Sequence, residues 1–543
     1  MFTSHSLSVR FLSVACFSIT SALVAACSAP ESTPGPVEVQ RSALTPQDKL
    51  QQRMNTCAQD ARVLTGLVSQ QVCVGADIFF RETFDGNGRT CGTCHPPQNN
   101  LTIDDNFVNA LPSDDPLFVF RNNPDLAGLE MPASLQRGGI LENVDDNGPP
   151  FADPTHKFVI RSVPHLLSLA TSITVDPADP HTTTPPLDRT GWGGDGGALR
   201  DFLNTAIIQH YPKHLARVVG TDFRLAIAGE LDAVDVFQRN LGRLNDPNLS
   251  QVNMSDALAQ EGRNAYLDPL RGRCNVCHFN GGGNFDLTNK NRNFDTQTRL
   301  APTFPDFGFF AGAFLFDAGF GGKGLAVPNF PTLDVNGPDP DINNGFGNGT
   351  FSAPPVIEAA DTLPSFHTHA FGGGGSIEST VAFYASPNFF LSSPAAAELN
   401  ARFNGQPVVI TGDDITNIGR FLRALNVALN LDMAKQRLRA AQTILNTFHD
   451  GHADVQKFLI FLAQEELNDA LTVLTSSNTP QPFYPISVDR IGLATQEISN
   501  AIAAANSVQR QGPLSNAISR VENARDPIGS NITFQLGQGN LMF

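Results

Sequence analysis

The sequence predicts a mainly α-helical protein whose 543 residues are too many for one hydrophobic core. Strand-like alternation is sparse, and two short runs share one pattern, Cys91-Gly-Thr-Cys94-His95 and Cys274-Asn-Val-Cys277-His278. Apolar residues recur at helical spacing over 46–73, 198–219 with a break near Pro212, 230–244, 254–267, from Asp413-Asp414 to about 475, and 487–523. The spacing predicts two helical domains with long loops, one around each run, followed by a helical extension.

Each run is the C-x-x-C-H attachment pattern for a c-type haem. Two thiols at this spacing can each form a thioether with one haem vinyl group, and the adjacent histidine then supplies the proximal nitrogen to the iron. A zinc site, a redox cysteine pair or a disulfide is the alternative for a single run, and the presence of two favours haem. We therefore predict two covalently bound haem c groups, attached at Cys91, Cys94, Cys274 and Cys277 and ligated by His95 and His278.

With one haem assigned to each run, the predicted fold is a mainly α protein with two cytochrome-c-like haem domains. The haem 1 domain is expected at 46–250, the haem 2 domain at 251–435 and the helical extension at 436–543. Residues 301–350 are rich in Gly, Pro and Phe and are expected to form a loop. The extension carries no motif to which chemistry can be attached.

The N-terminus predicts export. Arg10 precedes an uncharged stretch from Phe11 to Ala26, too short for a membrane-spanning helix, so 1–26 is expected to be a signal peptide. The end of this stretch, Val24-Ala25-Ala26-Cys27, resembles the bacterial lipobox, which would make Cys27 the lipidated first residue. The alternative is a soluble signal cut near Ala26. We expect a periplasmic or outer-membrane lipoprotein of a Gram-negative bacterium, with 27–45 as a Pro-, Ser- and Thr-rich tether and membrane contact through the anchor only.

The remaining cysteines predict one disulfide. The chain has eight cysteines; Cys16 leaves with the signal, Cys27 takes lipid and four take haem. Cys57 and Cys73 remain, and in an oxidising compartment they are expected to pair.

The formal net charge of −17 argues against a nucleic-acid partner, because no basic stripe is available to neutralise phosphates. The expected partner is a small electron-transfer protein or a small or hydrophobic substrate, although the acidic balance is equally explained by solubility. Calcium is the one other ion considered. The turn-rich stretch 334–345 offers oxygen ligands, but it lacks a recognised calcium-loop spacing, so a plain loop is the alternative.

Two further segments carry a family resemblance. The segment RSVPHLLSL…TGWGGDGGALRDFLNTAIIQH at 161–210 and the segment FSAPPVIEAADTLPSFHTHAFGGGGSIESTVAFYASPNF at 351–389 resemble the bacterial dihaem cytochrome c peroxidases and the related MauG-type enzymes. The sequence around GWGGDG and PPVIEAADTLPSFH is similar to that of the rubber-oxygenase branch, whose members cleave polyisoprene. The resemblance covers about 75–430 in the order haem, Trp loop, haem, Phe-His block.

The resemblance implies roles for individual residues. Trp192, the one tryptophan of the chain, matches the residue that relays electrons between the haems; a packing role is the alternative. Tyr384 stands where MauG-type enzymes place the sixth ligand of haem 2, and His367 competes with it in the same block. His449 and His452 are further candidates.

Haem 1 is expected to be the reactive, five-coordinate centre. The stretch matching the distal side has no Glu between Gly197 and His214, and Phe202, Asn204 and His210 occupy that region instead. An apolar distal pocket suits dioxygen and an apolar substrate. His210 could act as the base that peroxide cleavage needs, or it could simply end the helix before Pro212.

The sequence therefore predicts a haem-dependent oxidoreductase of the peroxidase or MauG type. It would activate peroxide or dioxygen at haem 1 and exchange electrons with haem 2, with Trp192, Phe202 and His210 as its catalytic candidates. A dioxygenase acting on a hydrophobic polymer and a non-catalytic electron-transfer cytochrome are the alternatives.

Overall fold

Helix makes up 57% of the structure and strand 6%, which confirms the mainly α prediction. In this computed structural model the residues described are 44–128, 135, 138–143, 158–177, 188–194, 197–285, 290–298, 317–319, 346–363, 365–367, 370, 375–391, 393–476, 479 and 481–543. The predicted signal peptide, Cys27, nearly all of the tether and the 334–345 loop lie outside these residues. None of the described helices is long and apolar enough to cross a bilayer.

The helices before and around the first C-x-x-C-H run are short. They are α1 Pro46–Cys57, α2 Ala61–Leu64, α3 Gln70–Arg81, α4 Cys91–Cys94, α5 Asp105–Ala110, α6 Val119–Asn122, α7 Leu169–Ser172, α8 Leu199–His210 and α9 Ala228–Gln238. A single helix over 46–73 is therefore wrong. Asp60 and Ser69 interrupt it, because each side chain accepts a main-chain N–H and caps the helix that follows.

The helices of the second half lead into a C-terminal bundle. They are α10 Ala257–Leu267, α11 Cys274–Cys277, α12 Ile377–Tyr384, α13 Pro387–Phe390, α14 Pro394–Arg402, α15 Gly412–Phe448, α16 Ala453–Thr475, α17 Pro485–Ala503 and α18 Ser507–Arg525. The helix expected to be capped by Asp413-Asp414 is capped two residues before Asp413. Thr411 is the N-cap residue, and the Asp414 side chain returns to the Thr411 main chain in a capping box.

Short strands and 3₁₀ turns complete the fold. The strands β1 Gly139–Asn143 and β2 Phe158–Ser162 form an antiparallel hairpin, β3 Asn253–Met254 pairs with β7 Gly529–Ser530, and β4 Asn293–Phe294, β6 Phe346–Ser352 and β5 Asp317–Gly319 form a sheet in that order. The 3₁₀ turns are Pro97–Asn99, Pro116–Phe118, Pro124–Gly128, Phe279–Gly281, Asp526–Ile528 and Gln538–Leu541. The β3–β7 pairing returns the C-terminal segment to the stretch just before the second run.

The helix before each C-x-x-C-H run crosses a later helix at a glycine. A Cβ added to Gly75 of α3 would lie 2.0 Å from the Ala233 carbonyl oxygen of α9, and one added to Gly262 of α10 would lie 1.8 Å from the Asn417 oxygen of α15. Only glycine permits so close an approach of two backbones. The two halves therefore contain the same kind of close helix crossing at a glycine, although the sequence shows no short repeat.

Residues 45–543 form one compact unit. Its main apolar core runs continuously from α3 and α9 through α10 into the bundle α15–α18. The predicted boundaries at 250/251 and 435/436 lie inside this unit and stay predictions. The predicted disulfide is confirmed: Cys57 at the end of α1 is bonded to Cys73 in α3, and it ties α1 to the helix that precedes the first run.

Candidate functional site

The first C-x-x-C-H run forms one helical turn, α4, and ends at His95. The His95 Nδ1 donates a hydrogen bond to the Leu101 carbonyl oxygen at 2.8 Å, so Nε2 is the nitrogen that remains for a metal. Burial lowers the pKa of His95 to about 4, and the imidazole is therefore neutral, as an iron ligand must be. The Phe79 ring of α3 lies beside it, with ring centroids 6.1 Å apart.

The second run repeats this geometry. α11 ends at His278, whose Nδ1 donates to the Pro354 carbonyl oxygen at 2.8 Å, and burial lowers the His278 pKa to about 4. The Tyr266 hydroxyl donates to the His278 carbonyl at 2.6 Å and holds the main chain of the run. Both runs thus present an oriented, neutral histidine directly after the cysteine pair.

The cysteines of both runs are free thiols and are partly buried. Burial raises the pKa of Cys91 to about 11 and that of Cys274 and Cys277 to about 12, so these thiols are protonated rather than thiolate. No three His, Cys, Asp or Glu side chains among the described residues are grouped to hold a metal ion, and the two pairs do not combine into one zinc site.

A cavity opens beside each run. The first has a volume of about 510 Å³ and is lined by Cys91, Cys94 and His95. The second has a volume of about 170 Å³ and is lined by Cys274, Cys277 and His278. Pockets of several hundred Å³ are typical of cofactor sites.

The two cavities share a wall. Val163, Pro164, His165, Trp192 and the segment Ser352–Pro355 line both of them. Hydrogen bonds to main-chain carbonyls join the segments of this wall. The Ser162 N–H donates to the His367 carbonyl at 2.9 Å, and the Trp192 indole N–H donates to the Ser162 carbonyl at 2.9 Å. Each residue of this wall therefore borders both cavities.

Trp192 stands in a tight loop of that wall. Gly191 and Gly194 adopt positive φ angles of 70° and 69°, a conformation that glycine enters without cost. The Trp192 carbonyl accepts the Ser352 N–H at 2.9 Å, and its ring lies edge-on to the His367 ring, with centroids 6.5 Å apart. The structure therefore brings Trp192 next to one of the two candidate ligands of the second cavity.

Both candidates for the sixth ligand, His367 and Tyr384, line the second cavity. The His367 side chain is 1% exposed, and its ring stacks on Phe351 with centroids 3.7 Å apart. Burial raises the pKa of Tyr384 well above its usual range, so it is a neutral phenol, with its ring edge-on to Phe389 at 5.0 Å. The choice between the two stays a prediction.

Two salt-bridged partners fix the helix that carries Tyr384. Arg423 of α15, 3% exposed, forms two hydrogen bonds to Glu378 at 2.8 and 3.0 Å. Glu378 lies in the first turn of α12 and Tyr384 is its last residue. The long helix α15 thus sets the position of Tyr384.

His449 and His452 do not join the site. They form the turn between α15 and α16, where both have positive φ angles of 53° and 55°, and the His452 ring packs on Phe448 with centroids 4.8 Å apart. Neither is among the described residues that line the two cavities. Both residues are exposed at this turn, so the structure does not bring them to the second cavity.

One face of α8 lines the first cavity. Phe202 and His210, both predicted site residues, are on this face. Their neighbours at helical spacing on the same face are Leu199, Leu203, Ala206 and Gln209. Asn204 instead accepts the Ala226 N–H at 2.9 Å and has a structural role. The helix ends at His210, before Pro212, as predicted.

Sequence reasoning missed five residues of the first cavity. Gln209 could have been found from its helical spacing to Phe202, and His165 from its place inside the RSVPHLL segment. Three arginines, Arg89, Arg161 and Arg189, line the same cavity and are 1%, 4% and 3% exposed; Arg161 begins the same RSVPHLL segment as His165, whereas Arg89 and Arg189 lie outside the quoted motifs. A haem brings carboxylates that such buried guanidinium groups would bind, so the cavity fits the predicted cofactor.

Comparisons with protein-family models, with curated proteins and with solved structures found no match to this chain. The family resemblance therefore depends on the quoted motifs alone, and what it implies stays a proposal.

Proposed function

We propose that this chain is an exported dihaem c-type oxidoreductase of the cytochrome c peroxidase and MauG type. Haem 1, at Cys91 and Cys94, would be the reactive centre, and haem 2, at Cys274 and Cys277, would store or deliver electrons. The observation that carries the proposal is the wall common to both cavities, which holds Trp192 between the two C-x-x-C-H runs. Export and lipid anchoring rest on the sequence.

The packing of the two halves supports a cytochrome-c-like domain around each haem. In each half a helix with a buried glycine precedes the run, crosses a later helix, and ends near a histidine whose Nδ1 is bonded to a main-chain carbonyl. Such second-shell hydrogen bonds fix the tautomer and the ring orientation of an iron ligand.

Bound haem would supply an iron that takes up peroxide or dioxygen and exchanges single electrons. The chain's own residues would bind and orient the haem groups. His95 and His278 would offer Nε2 to the iron, Arg89, Arg161 and Arg189 would bind haem carboxylates in the first cavity, and Trp192 provides an indole ring that lines both cavities.

The composition of the first cavity favours a second candidate, a dioxygenase that cleaves a hydrophobic polymer such as polyisoprene. The aliphatic and aromatic side chains that line that cavity include Leu166, Leu167, Leu169, Ile173, Leu199, Phe202 and Leu203. The glutamate that peroxidases of this family place on the distal side is missing from α8, and Asp201, the one carboxylate of α8, is not among the residues that line the cavity. Thr205, Gln209 and His210 are the polar side chains that α8 offers there, so peroxide cleavage would lack a strong proton shuttle.

Haem loading tests the proposal first. Replacing Cys91 and Cys94 by alanine should reduce haem from two to one per chain in a pyridine haemochrome assay, because each run would attach one haem. The matched control replaces the disulfide cysteines Cys57 and Cys73 by serine and should leave two haems. Two haems in the Cys91 and Cys94 variant would contradict the assignment.

The reaction is tested by rate and product. The haem-loaded protein should bind carbon monoxide and turn over peroxide slowly, since general acid–base help is worth roughly 10²–10⁴ in rate. A fast peroxidase rate that His210→Ala abolishes, but that the exposed control His214→Ala keeps, would make His210 the base of an ordinary peroxidase. Cleavage products from polyisoprene under dioxygen would establish the second candidate. Two six-coordinate irons would indicate an electron-transfer cytochrome.

A further inference from the structure

A buried tyrosine is bonded to one cysteine of the first C-x-x-C-H run. Tyr211 directly follows α8, and its hydroxyl donates a hydrogen bond to the Cys91 sulfur at 3.3 Å. Tyr211 is 4% exposed and lines the first cavity. Burial raises the pKa of Tyr211 well above its usual range, so the phenol keeps the proton that it donates. The first cavity therefore holds an oriented hydroxyl donor on a cysteine that is predicted to attach haem 1.

The segment that leads into the first run holds this tyrosine in place. The Asn87 N–H donates to the Tyr211 carbonyl at 2.9 Å. The Asn87 side-chain amide donates to the carbonyls on either side, at 3.0 Å for His210 and 3.2 Å for Pro212. A Cβ added to Gly86 would lie 2.4 Å from the Tyr211 carbonyl oxygen, so the two backbones are in direct contact. These contacts fix the end of α8 relative to the first run.

The second run lacks this arrangement. Its matching cysteine, Cys274, donates to the Gly272 carbonyl at 3.7 Å, and no side-chain donor bonds the Cys274 sulfur among the described residues. The buried tyrosine of that half, Tyr266, donates instead to the His278 carbonyl at 2.6 Å. In both runs the histidine Nδ1 is bonded to a main-chain carbonyl at 2.8 Å. The two runs thus hold their histidines alike and differ in the donor to the first cysteine sulfur.

We propose that Tyr211 is a positioning residue of the first site, whose hydrogen bond to the Cys91 sulfur raises the reduction potential of haem 1 and not that of haem 2. The proposal rests on the proposed function, since it needs a haem attached at Cys91. The hydroxyl presents the positive end of its dipole to a sulfur that would be bonded to the haem edge. This dipole favours the reduced iron, which carries one positive charge less, and burial leaves the interaction weakly screened.

A higher potential at haem 1 agrees with the roles proposed for the two haems. Electrons pass spontaneously from a centre of lower potential to one of higher potential, so the contact favours transfer from haem 2 to the centre where the oxidant would react.

The choice of acceptor favours this role over a purely structural one. The main-chain N–H and carbonyl of Tyr211 are already bonded, to Ile207 and Asn87, and phenylalanine would fill the same space. The hydroxyl is instead buried against a sulfur, which is a weak acceptor, and such burial costs stability. The hydroxyl therefore contributes little to folding, and its effect is expected at the sulfur.

The potentials of the two haems in the haem-loaded Tyr211→Phe variant test the proposal. Phenylalanine keeps the ring contact with Phe84, whose centroid lies 5.9 Å away, so two haems per chain should remain. The potential of haem 1 should fall and that of haem 2 should stay. Haem 1 is identified as the centre whose potential is missing when Cys91 and Cys94 are replaced by alanine.

The matched control is Tyr484→Phe, which removes the hydroxyl of a buried tyrosine that is not among the residues lining either cavity. Both potentials should be unchanged in this control. Unchanged potentials in Tyr211→Phe, or equal shifts of both haems, would overturn the proposal.

A second measurement tests the contact without haem. In the haem-free full chain, the infrared S–H stretch of Cys91 is identified as the band that Cys91→Ala loses. This band should shift in Tyr211→Phe and stay in Tyr484→Phe, because only the first variant removes the donor to the sulfur. An unshifted band in Tyr211→Phe would overturn the hydrogen bond itself. The haemochrome assay reports the proposed function separately, since the S–H band is measured whether or not the chain attaches haem.

Discussion

Replacing Asp469 by asparagine should make the protein more stable, relative to the wild type, as the pH rises. The folded-state pKa of the Asp361 and Asp469 pair is raised above its unfolded value. Between the two values the folded chain holds a proton that the unfolded chain has lost, so the free energy of unfolding falls as the pH rises. Below about pH 4, where carboxyls of both states are protonated, the pair contributes nothing.

The magnitude follows from one retained proton. Each proton changes the free energy of unfolding by about 1.4 kcal/mol per pH unit, so from pH 5 to 7 the wild type should lose up to about 3 kcal/mol that Asp469→Asn keeps. Asparagine does not titrate, so the variant lacks the proton that Asp469 retains in the folded chain. A constant offset from altered packing does not change this slope.

The assay is guanidinium unfolding followed by circular dichroism at several pH values, with haem content matched between proteins. The quantity compared is the difference between Asp469→Asn and wild type as a function of pH, because titration of other groups then cancels. The control Asp454→Asn changes an exposed residue of the same helix, and its unfolding free energy should follow the same pH dependence as that of the wild type. A parallel profile for Asp469→Asn as well would refute the reasoning.

Three further predictions follow from the site and its supports. Replacing Cys57 and Cys73 together by serine should cost about 3 kcal/mol of unfolding free energy, since the disulfide joins residues 16 positions apart; an unchanged denaturation midpoint would contradict this. Either His367→Ala or Tyr384→Phe should convert a low-spin haem to high spin in low-temperature electron paramagnetic resonance, and if neither does, the ligand is another residue. Palmitate labelling should depend on Cys27, and labelling that persists in Cys27→Ala would indicate a soluble export signal.

The sequence predicted the local elements well where chemistry and periodicity coincide. The Cys57–Cys73 pair followed from counting cysteines, and the end of α8 at His210 followed from Pro212. The N-cap residues of the helices were harder to predict. Thr411 rather than Asp413 begins α15, because a capping box needs both residues of the reciprocal pair in place, and Asp60 and Ser69 divide the predicted helix 46–73 by the same local competition for main-chain N–H groups.

The shared wall could not be predicted from the chain alone. His165, Trp192 and Ser352 are far apart in sequence, and main-chain hydrogen bonds between their loops bring them together. The same holds for Arg89, Arg161 and Arg189. Neither helical periodicity nor motif spacing carries information about such pairings.

By itself the sequence determined the residues that have chemistry to offer: two C-x-x-C-H runs, one tryptophan, a cysteine pair and helices at the expected places. Spacing within one turn or one helix face is a local property, so it can be read from neighbouring residues. Only the tertiary structure decided that the Ser352–Pro355 segment borders both cavities together with Trp192, and that His449 and His452 stay outside them. Those outcomes depend on how closely helices cross, at Gly75 and Gly262 above all, and such contacts are set by packing between distant segments.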